Sequence, residues 1–313
     1  MKIILPTQIA DDVVPKLPAD ITVVRVDTQG KFDGDPSDAQ AYYRWWGPTP
    51  PFEPVLAAAP QVRWLHTPSA GVDHLLVPAV MQSNVVLTNG AGVHAIPIAE
   101  FVMGFMLDYA KGMTPLRNAQ TEHRWASQRI RELLGATLMV VGMGGIGQAI
   151  ATRAAAFGMR IWGVRRTPCA MEGVERVVGL DEWQPLLPQV DYLVIATPLT
   201  PQTRGMINAE VLRAMRPTAY LINVARGAVI DDDALMTALR EKWIGGAALD
   251  TFETEPLPAD NPYWDIPNIF ITPHTTSGSP RMRERSIALF LDNLTRFMAG
   301  EPLRNVVDKE AGY

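Results

Sequence analysis

Residues 137–158 read TLMVVGMGGIGQAIATRAAAFG. An apolar strand runs into a glycine-rich turn, and the turn opens a helix studded with alanine. The glycines stand at Gly142, Gly144 and Gly147, the spacing G-x-G-x-x-G. Gly142 permits a tight turn, Gly144 lets a pyrophosphate approach the backbone, and Gly147 seats the helix close to the strand. The free N–H groups of the helix's first turn then face the phosphates. Glycines punctuate many strand–helix turns, so the spacing alone says little. Set between a strand and a helix, with a further strand RIWGV at 160–164, it reads as a dinucleotide-binding turn.

Such a unit needs neighbours of its own kind, and the chain supplies them. Short apolar runs alternate with helical patterns: KIIL (2–5), ITVVRV (21–26), VRWLH (62–66) and VVLT (85–88), then DYLVIA (191–196), AYLINV (219–224), GGAALD (245–250) and NIFIT (268–272). Strands alternating with helices predict parallel sheets covered on both faces. At 313 residues the chain suits two α/β domains. The expected division is a substrate domain of residues 1–97 and 278–313 and a dinucleotide-binding domain of 98–277. A helix from Pro97 and another over 281–298 join the two, and the cleft between them is the expected ligand site.

Charge and cysteine content exclude several classes. The net charge is −5 and the basic residues form no long run, so a nucleic-acid partner is not expected. Cys169 is the single cysteine, which rules out an intrachain disulfide and a cysteine-rich metal site. No uncharged apolar stretch reaches 18 residues, so no membrane span is expected. The apolar start MKIILPTQIA is too short for a signal peptide. A cytoplasmic protein is the expectation.

At the tip of the strand that follows a dinucleotide turn, a carboxylate ordinarily takes the ribose 2′-hydroxyl of NAD. Here Arg165 stands there, 18 residues past Gly147, followed by Arg166 and Thr167. A guanidinium in that position receives the 2′-phosphate of NADP, which a carboxylate would repel. NADP(H) is therefore the expected coenzyme, with NAD(H) possible.

Three more segments follow strands and carry reactive side chains. LINVARGAVIDDDAL presents Arg226, GGAALDTFETEPLP presents Asp250 and Glu255, and NIFITPHTTSGS presents His274. Ligands of open α/β sheets gather at the carboxyl ends of strands. An Arg, an acid and a His there are tools for reducing a 2-oxo acid. A guanidinium fork holds a carboxylate or polarises an oxo group. An imidazole, with an ordinary pKa of roughly 6.5, protonates the developing alkoxide. His66, in WLHTPSAG, is the main rival to His274; His94 and His123 are also candidates to line a cleft, and His74 suits a surface or core helix.

The chain resembles the D-isomer-specific 2-hydroxyacid dehydrogenases over nearly its whole length. The likeness rests on SAGVDHL (69–75), PIAEFVMGFML (97–107), VVGMGGIGQAIA (141–151), ATPLTPQT (196–203), NVARGAVIDDDAL (223–235), GGAALDTFETEPLP (245–258) and TPHTTSG (272–278). It implies a Rossmann-type coenzyme domain inserted into a flavodoxin-like substrate domain, in a homodimer. It also implies Arg226, Glu255 and His274 as the catalytic set. Further implied coenzyme contacts are Gly145, Ile146, Thr197, Pro198, Val224, Ala225, Arg226, Asp250, His274 and Thr276. The substrate is implied to meet the backbone at Ala70, Gly71 and Val72 together with Trp45 and Arg226. Glu255 argues against the formate dehydrogenase branch, where a Gln pairs with the His. YRWWGP (43–48) and HRW (123–125) resemble the glyoxylate/hydroxypyruvate reductases. The segment TTSGS after His274 departs from the family's usual IGG or IAS.

The expected activity is reduction of small 2-oxo acids to D-2-hydroxy acids, without a metal. An NAD-dependent oxidiser of the phosphoglycerate dehydrogenase kind is the first alternative. A dinucleotide-sensing, corepressor-like binding protein is the second.

Overall fold

The computed structural model of the chain describes residues 1–46, 52–127 and 130–313. Its first elements are β1 (Lys2–Pro6), α1 (Thr7–Val13), β2 (Thr22–Val26), β3 (Ala41–Tyr43), α2 (Phe52–Ala58), β4 (Trp64–His66), α3 (Pro78–Met81) and β5 (Val86–Thr88). There follow α4 (Ala95–Lys111), α5 (Met113–Thr121), β6 (Thr137–Val141), α6 (Gly145–Ala156), β7 (Arg160–Val164), β8 (Arg176–Val178) and β9 (Tyr192–Ile195). The last are α7 (Ala209–Ala214), β10 (Tyr220–Asn223), α8 (Asp232–Arg240), β11 (Gly246–Leu249), β12 (Ile269–Ile271) and α9 (Met282–Ala299). Two compact units result: Met1–His94 with Ser279–Tyr313, and Ala95–Gly278. None of the described helices is long and apolar enough to cross a membrane.

In the first unit the sheet runs β2-β1-β3-β4-β5, all parallel. That is the flavodoxin-like order. Its two faces are buried alternately, as a parallel sheet requires. Ile4, Tyr42 and Leu65 face one core, while Ile3, Leu5, Tyr43 and Trp64 face the other. The helix α9 covers the second face with Ile287, Phe290 and Leu294, and ends at Gly300 in the left-handed region. The short strand β3, AYY, is not among the expected strands: three residues give no alternation to read. Its neighbours on both sides hold it in place.

The second unit carries a parallel sheet in the order β12-β11-β10-β9-β6-β7-β8. The direction of progression reverses between β6 and β9, which is the doubly wound Rossmann pattern. Strand residues again alternate between two cores. Met139, Val141, Leu193, Ile195 and Leu221 face one, and Leu138, Val140, Tyr192, Val194 and Ile222 the other. Two of the connecting helices start at side-chain caps. Asn208 accepts from the Val211 N–H at α7, and Asp231 from the Ala234 N–H at α8. The strand β8 is a second addition to the expected set. It is an edge strand of three residues, RVV, largely open to solvent, too short for a periodic signal. The helix α4 begins at Ala95, ahead of Pro97, which lies inside its first turn.

His66 lies at the end of β4 with 0% of its surface exposed. Its Nδ1 meets the Thr88 hydroxyl at 2.8 Å, and that hydroxyl also accepts from Trp64 Nε1 at 2.8 Å. Its Nε2 meets no polar partner among the described residues. Burial pushes the imidazole down from 6.5 to about 3. The folded protein therefore keeps His66 neutral while the unfolded chain binds a proton below 6.5. Stability from this group is complete above pH 6.5 and lost as pH falls toward 3. The slope is about 1.4 kcal/mol per pH unit. Urea midpoints measured between pH 7 and 5 should fall more steeply for the wild type than for His66→Asn. Equal slopes would mean that His66 is not held neutral.

Candidate active site

The glycine turn sits at the carboxyl end of β6, beside the point where the strand order reverses. Gly142 has φ +104°, and a Cβ there would stand 2.5 Å from the Ala196 carbonyl oxygen. Only glycine fits. A Cβ on Gly147 would collide with the Gly142 carbonyl oxygen and crowd Val140, so α6 rests directly on the turn. At Gly144 a Cβ would meet nothing within 4 Å. That open space lies over the first turn of α6, which no side chain caps. The geometry fits a pyrophosphate bound by the backbone N–H groups of Gly145, Ile146 and Gly147.

Close by, the Gly142 N–H donates to Val164 at the end of β7 (3.0 Å). Arg165 is the next residue, its own N–H bonded to Val178 at 3.1 Å. Its Nη1 donates to Cys169 Sγ at 2.9 Å. Arg166 and Thr167 are exposed beyond it. The residues of the tip, RRTP, include no carboxylate. On the other side of β6 the Ala196–Thr197 backbone packs on Gly142. The loop there closes on itself, with Thr203 Oγ1 donating to the Pro198 carbonyl at 2.7 Å.

The remaining side chains rise from adjacent strands. Asn223, Leu249 and Ile271 end β10, β11 and β12, and the registers pair Asn223 with Leu249 and Leu249 with Ile271. Loops leaving these ends therefore start at one level. Buried Asn223 staples the first, accepting from the Ala225 N–H and donating to the Arg226 carbonyl, both at 3.0 Å. Val224 and Ala225 are buried in this turn. Gly227 lets it press on the backbone of Phe252 and Glu253, where a Cβ would collide. Arg226 is half-buried, and its Nη1 donates to the Ala225 carbonyl at 2.9 Å.

Glu255 and His274 meet. Glu255 Oε2 lies 2.7 Å from His274 Nδ1, and Oε1 accepts from the Phe252 N–H at 2.9 Å. An ionised carboxylate only accepts, so the contact puts a hydrogen on Nδ1 and leaves Nε2 for a ligand. Both side chains keep solvent access, at 45% and 34% for His274 and Glu255. The His274 main chain is left-handed, with φ +49°.

Asp250, buried at 1% exposure, lies beneath this turn. Its carboxylate accepts from the Thr272 hydroxyl (2.6 Å), the Thr275 N–H (2.9 Å), the Thr276 N–H (3.3 Å) and the Thr276 hydroxyl (2.5 Å). Spacing and strand position do not single out Thr272 and Thr275. The hydroxyls bracketing His274 in TPHTT are the available signal.

The other histidines part company with His274. His66 is sealed in the core of the first unit, so it is no proton donor to a ligand. His94 is buried with Nε2 3.0 Å from the Pro68 carbonyl. His74 and His123 are exposed. In the first unit Asn89 Nδ2 donates to the Ala70 carbonyl at 2.8 Å, fixing the loop that carries Ala70, Gly71 and Val72. Trp45 is mostly buried against Tyr43 and Trp46, so packing claims most of its ring. Trp125 is fully exposed. The Gly47–Pro48 end of the aromatic motif lies outside the described residues.

Residues 103–276 match the family model of the D-isomer specific 2-hydroxyacid dehydrogenase NAD binding domain. The chain is 36% identical over 264 residues to a glyoxylate reductase of Thermofilum pendens, covering 82% of this chain and 78% of that one. Among solved structures it is similar to a D-isomer specific 2-hydroxyacid dehydrogenase from Xanthobacter autotrophicus in complex with NADPH and MES. There the TM-score is 0.89 at 32% identity, covering 100% of this chain and 99% of that one. An NADPH-dependent glyoxylate/hydroxypyruvate reductase from Sinorhizobium meliloti, in complex with NADP and sulfate, gives 0.85 at 27% identity, covering 100% and 99%. The chain thus belongs to the D-isomer-specific 2-hydroxyacid dehydrogenases, nicotinamide-dependent oxidoreductases, and to their glyoxylate/hydroxypyruvate reductase branch.

Proposed function

We propose that the protein reduces small 2-oxo acids of the glyoxylate/hydroxypyruvate type to D-2-hydroxy acids, and prefers NADPH to NADH. The observation that carries this reading is the His274–Glu255 pair, 2.7 Å apart, on the strand ends next to Arg226. When bound, a dihydronicotinamide would supply a hydride to the oxo carbon. His274 Nε2 gives its proton to the oxygen as negative charge develops there. Glu255 holds the ring in the tautomer that makes this possible. Arg226 would orient the substrate with a planar fork.

Gly142, Gly144, Gly145, Ile146 and Gly147 would hold the coenzyme's phosphates. Arg165, Arg166 and Thr167 take the adenosine 2′-phosphate. Thr197, Pro198, Val224 and Ala225 would flank the nicotinamide end, while Asp250 and Thr276, whose carboxylate and hydroxyl meet each other, would support the turn beneath it. The NADPH and NADP complexes of the Xanthobacter and Sinorhizobium relatives favour the phosphate reading. Turnover of glyoxylate or hydroxypyruvate with NADPH tests the activity, and its failure would return the chain to dinucleotide sensing.

We also propose a homodimer. Phe101 is exposed on α4 and opens onto a groove of about 490 Å³ lined by Pro97, Gly104, Phe105 and Phe270. An exposed apolar face of this kind, with Glu100 and Asp108 beside it, suits a two-fold partner. Light scattering at micromolar concentration should give twice the 34.4 kDa chain mass; a monomer mass would remove this proposal.

His274→Ala should lower kcat by about a hundredfold to ten-thousandfold, with NADPH affinity nearly unchanged. Turnover near the wild-type level, with chemistry limiting, would remove His274 as the donor.

The coenzyme preference is checked separately. A hydrogen bond to a charged group contributes about 1.5–3 kcal/mol, roughly a tenfold to a hundredfold preference in kcat/KM for NADPH. Arg165→Asp should reverse the preference by restoring a ribose acceptor and repelling the phosphate. A wild type that uses NADH as well as NADPH would make both arginines ordinary loop charges.

A further inference from the structure

The carboxylate of Asp250 is engaged from within its own chain. Four donors converge on it: the Thr272 hydroxyl, the Thr275 and Thr276 N–H groups and the Thr276 hydroxyl, at 2.5 to 3.3 Å. An ionised carboxylate has about four lone-pair sites, so these donors fill it. At 1% exposure any site left empty would be a costly unpaired charge. The network is therefore stable only when it is complete, and completeness fixes the 272–276 turn.

That turn is the mount of His274. The His274 N–H donates to the Asp250 carbonyl at 2.8 Å and to the Thr272 carbonyl at 3.0 Å. Its φ of +49° is disfavoured for a residue with a Cβ, and such a conformation persists where the surroundings over-determine it. Thr276, 2% exposed, turns its hydroxyl inward onto Asp250 Oδ2 rather than outward.

We infer that Asp250, Thr272 and Thr276 form a clamp that holds His274 at Glu255, and that Thr276 is a positioning residue acting on turnover through His274. The inference rests on the reading of His274 as proton donor. A displaced donor loses the alignment on which proton transfer depends, and a misplacement of about 1 Å costs up to about a hundredfold.

The test compares Thr276→Val, which keeps shape and removes the hydroxyl, with Thr276→Ser, which keeps the hydroxyl. In Thr276→Val, kcat should fall about tenfold to a hundredfold while the Kd for NADPH barely moves, and Thr276→Ser should restore kcat. A second readout needs neither substrate nor coenzyme. Amide hydrogen exchange in residues 272–278 should quicken in Thr276→Val and stay as in wild type elsewhere.

Unchanged exchange in that segment would overturn the clamp. So would retained kcat with weakened NADPH binding, which would make Thr276 a coenzyme contact. Faster exchange throughout the unit, with a lower Tm in both variants, would show a merely structural residue and overturn it as well. His274→Ala, measured alongside, separates the premise. Turnover surviving in that variant removes the proton donor, whereas the exchange data for Thr276→Val still decide whether the clamp exists.

Discussion

The chemistry of this chain depends on parallel strand pairing in register. Parallel pairing sends every strand of the second unit in one direction, so all carboxyl ends open on the same edge. Asn223, Leu249 and Ile271 sit across from one another, and the loops after them carry Arg226, Glu255 and His274. A shift of one residue in β11 would turn Ala247 and Leu249 from one core to the other and carry the Asp250 and Glu255 loop with it. The site is thus held by the same buried residues that hold the sheet. Gly142 and Gly147 extend this logic to β6, because both are packed against backbone where no side chain fits.

Much of this architecture is legible in the sequence because the strands are buried on both faces. Runs such as TLMVV, YLVI and YLIN are apolar almost without interruption, and turn residues mark their ends. β3 and β8 escape that reading for a physical reason. Each has three residues, and each gains its strand character from its neighbours' hydrogen bonds rather than from its own composition. The candidate catalytic side chains are legible because each follows a strand within a few residues. The Asp250 network is not, since its partners are 22 to 26 residues apart and hydroxyls flanking a histidine carry no spacing rule. Trp45 shows the converse limit. Its motif suggests a ligand contact, but only packing reveals that most of the ring is buried against Tyr43 and Trp46.

His66 and His274 both stand at or just beyond a strand's carboxyl end, and sequence position does not separate them. Their surroundings do. His66 is enclosed by Tyr43, Trp64 and Phe290 rings, with a hydroxyl as its polar neighbour. Nothing there compensates a positive charge, so burial keeps it neutral. His274 has the opposite setting: water on one side and the Glu255 carboxylate on the other. The proton transfer proposed for His274 calls for both, the carboxylate to hold the ring by Nδ1 and an open face through which the proton is replaced.

The same distinction explains why a buried carboxylate and an exposed one lie so near each other. Asp250 and Glu255 leave the same strand end, and each accepts a backbone N–H. Asp250 accepts from hydroxyls and amides, donors that keep their hydrogen in this pH range, which fits the turn-shaping role inferred for it. Glu255 binds one such amide, at Phe252, and one titratable ring. Its amide bond fixes the carboxylate, and its second oxygen meets His274 Nδ1. Burial suits the first role because an enclosed carboxylate with every site filled admits one arrangement. Partial exposure suits the role proposed for the second, because a fully enclosed Glu–His pair would resist the gain and loss of charge that a proton transfer demands.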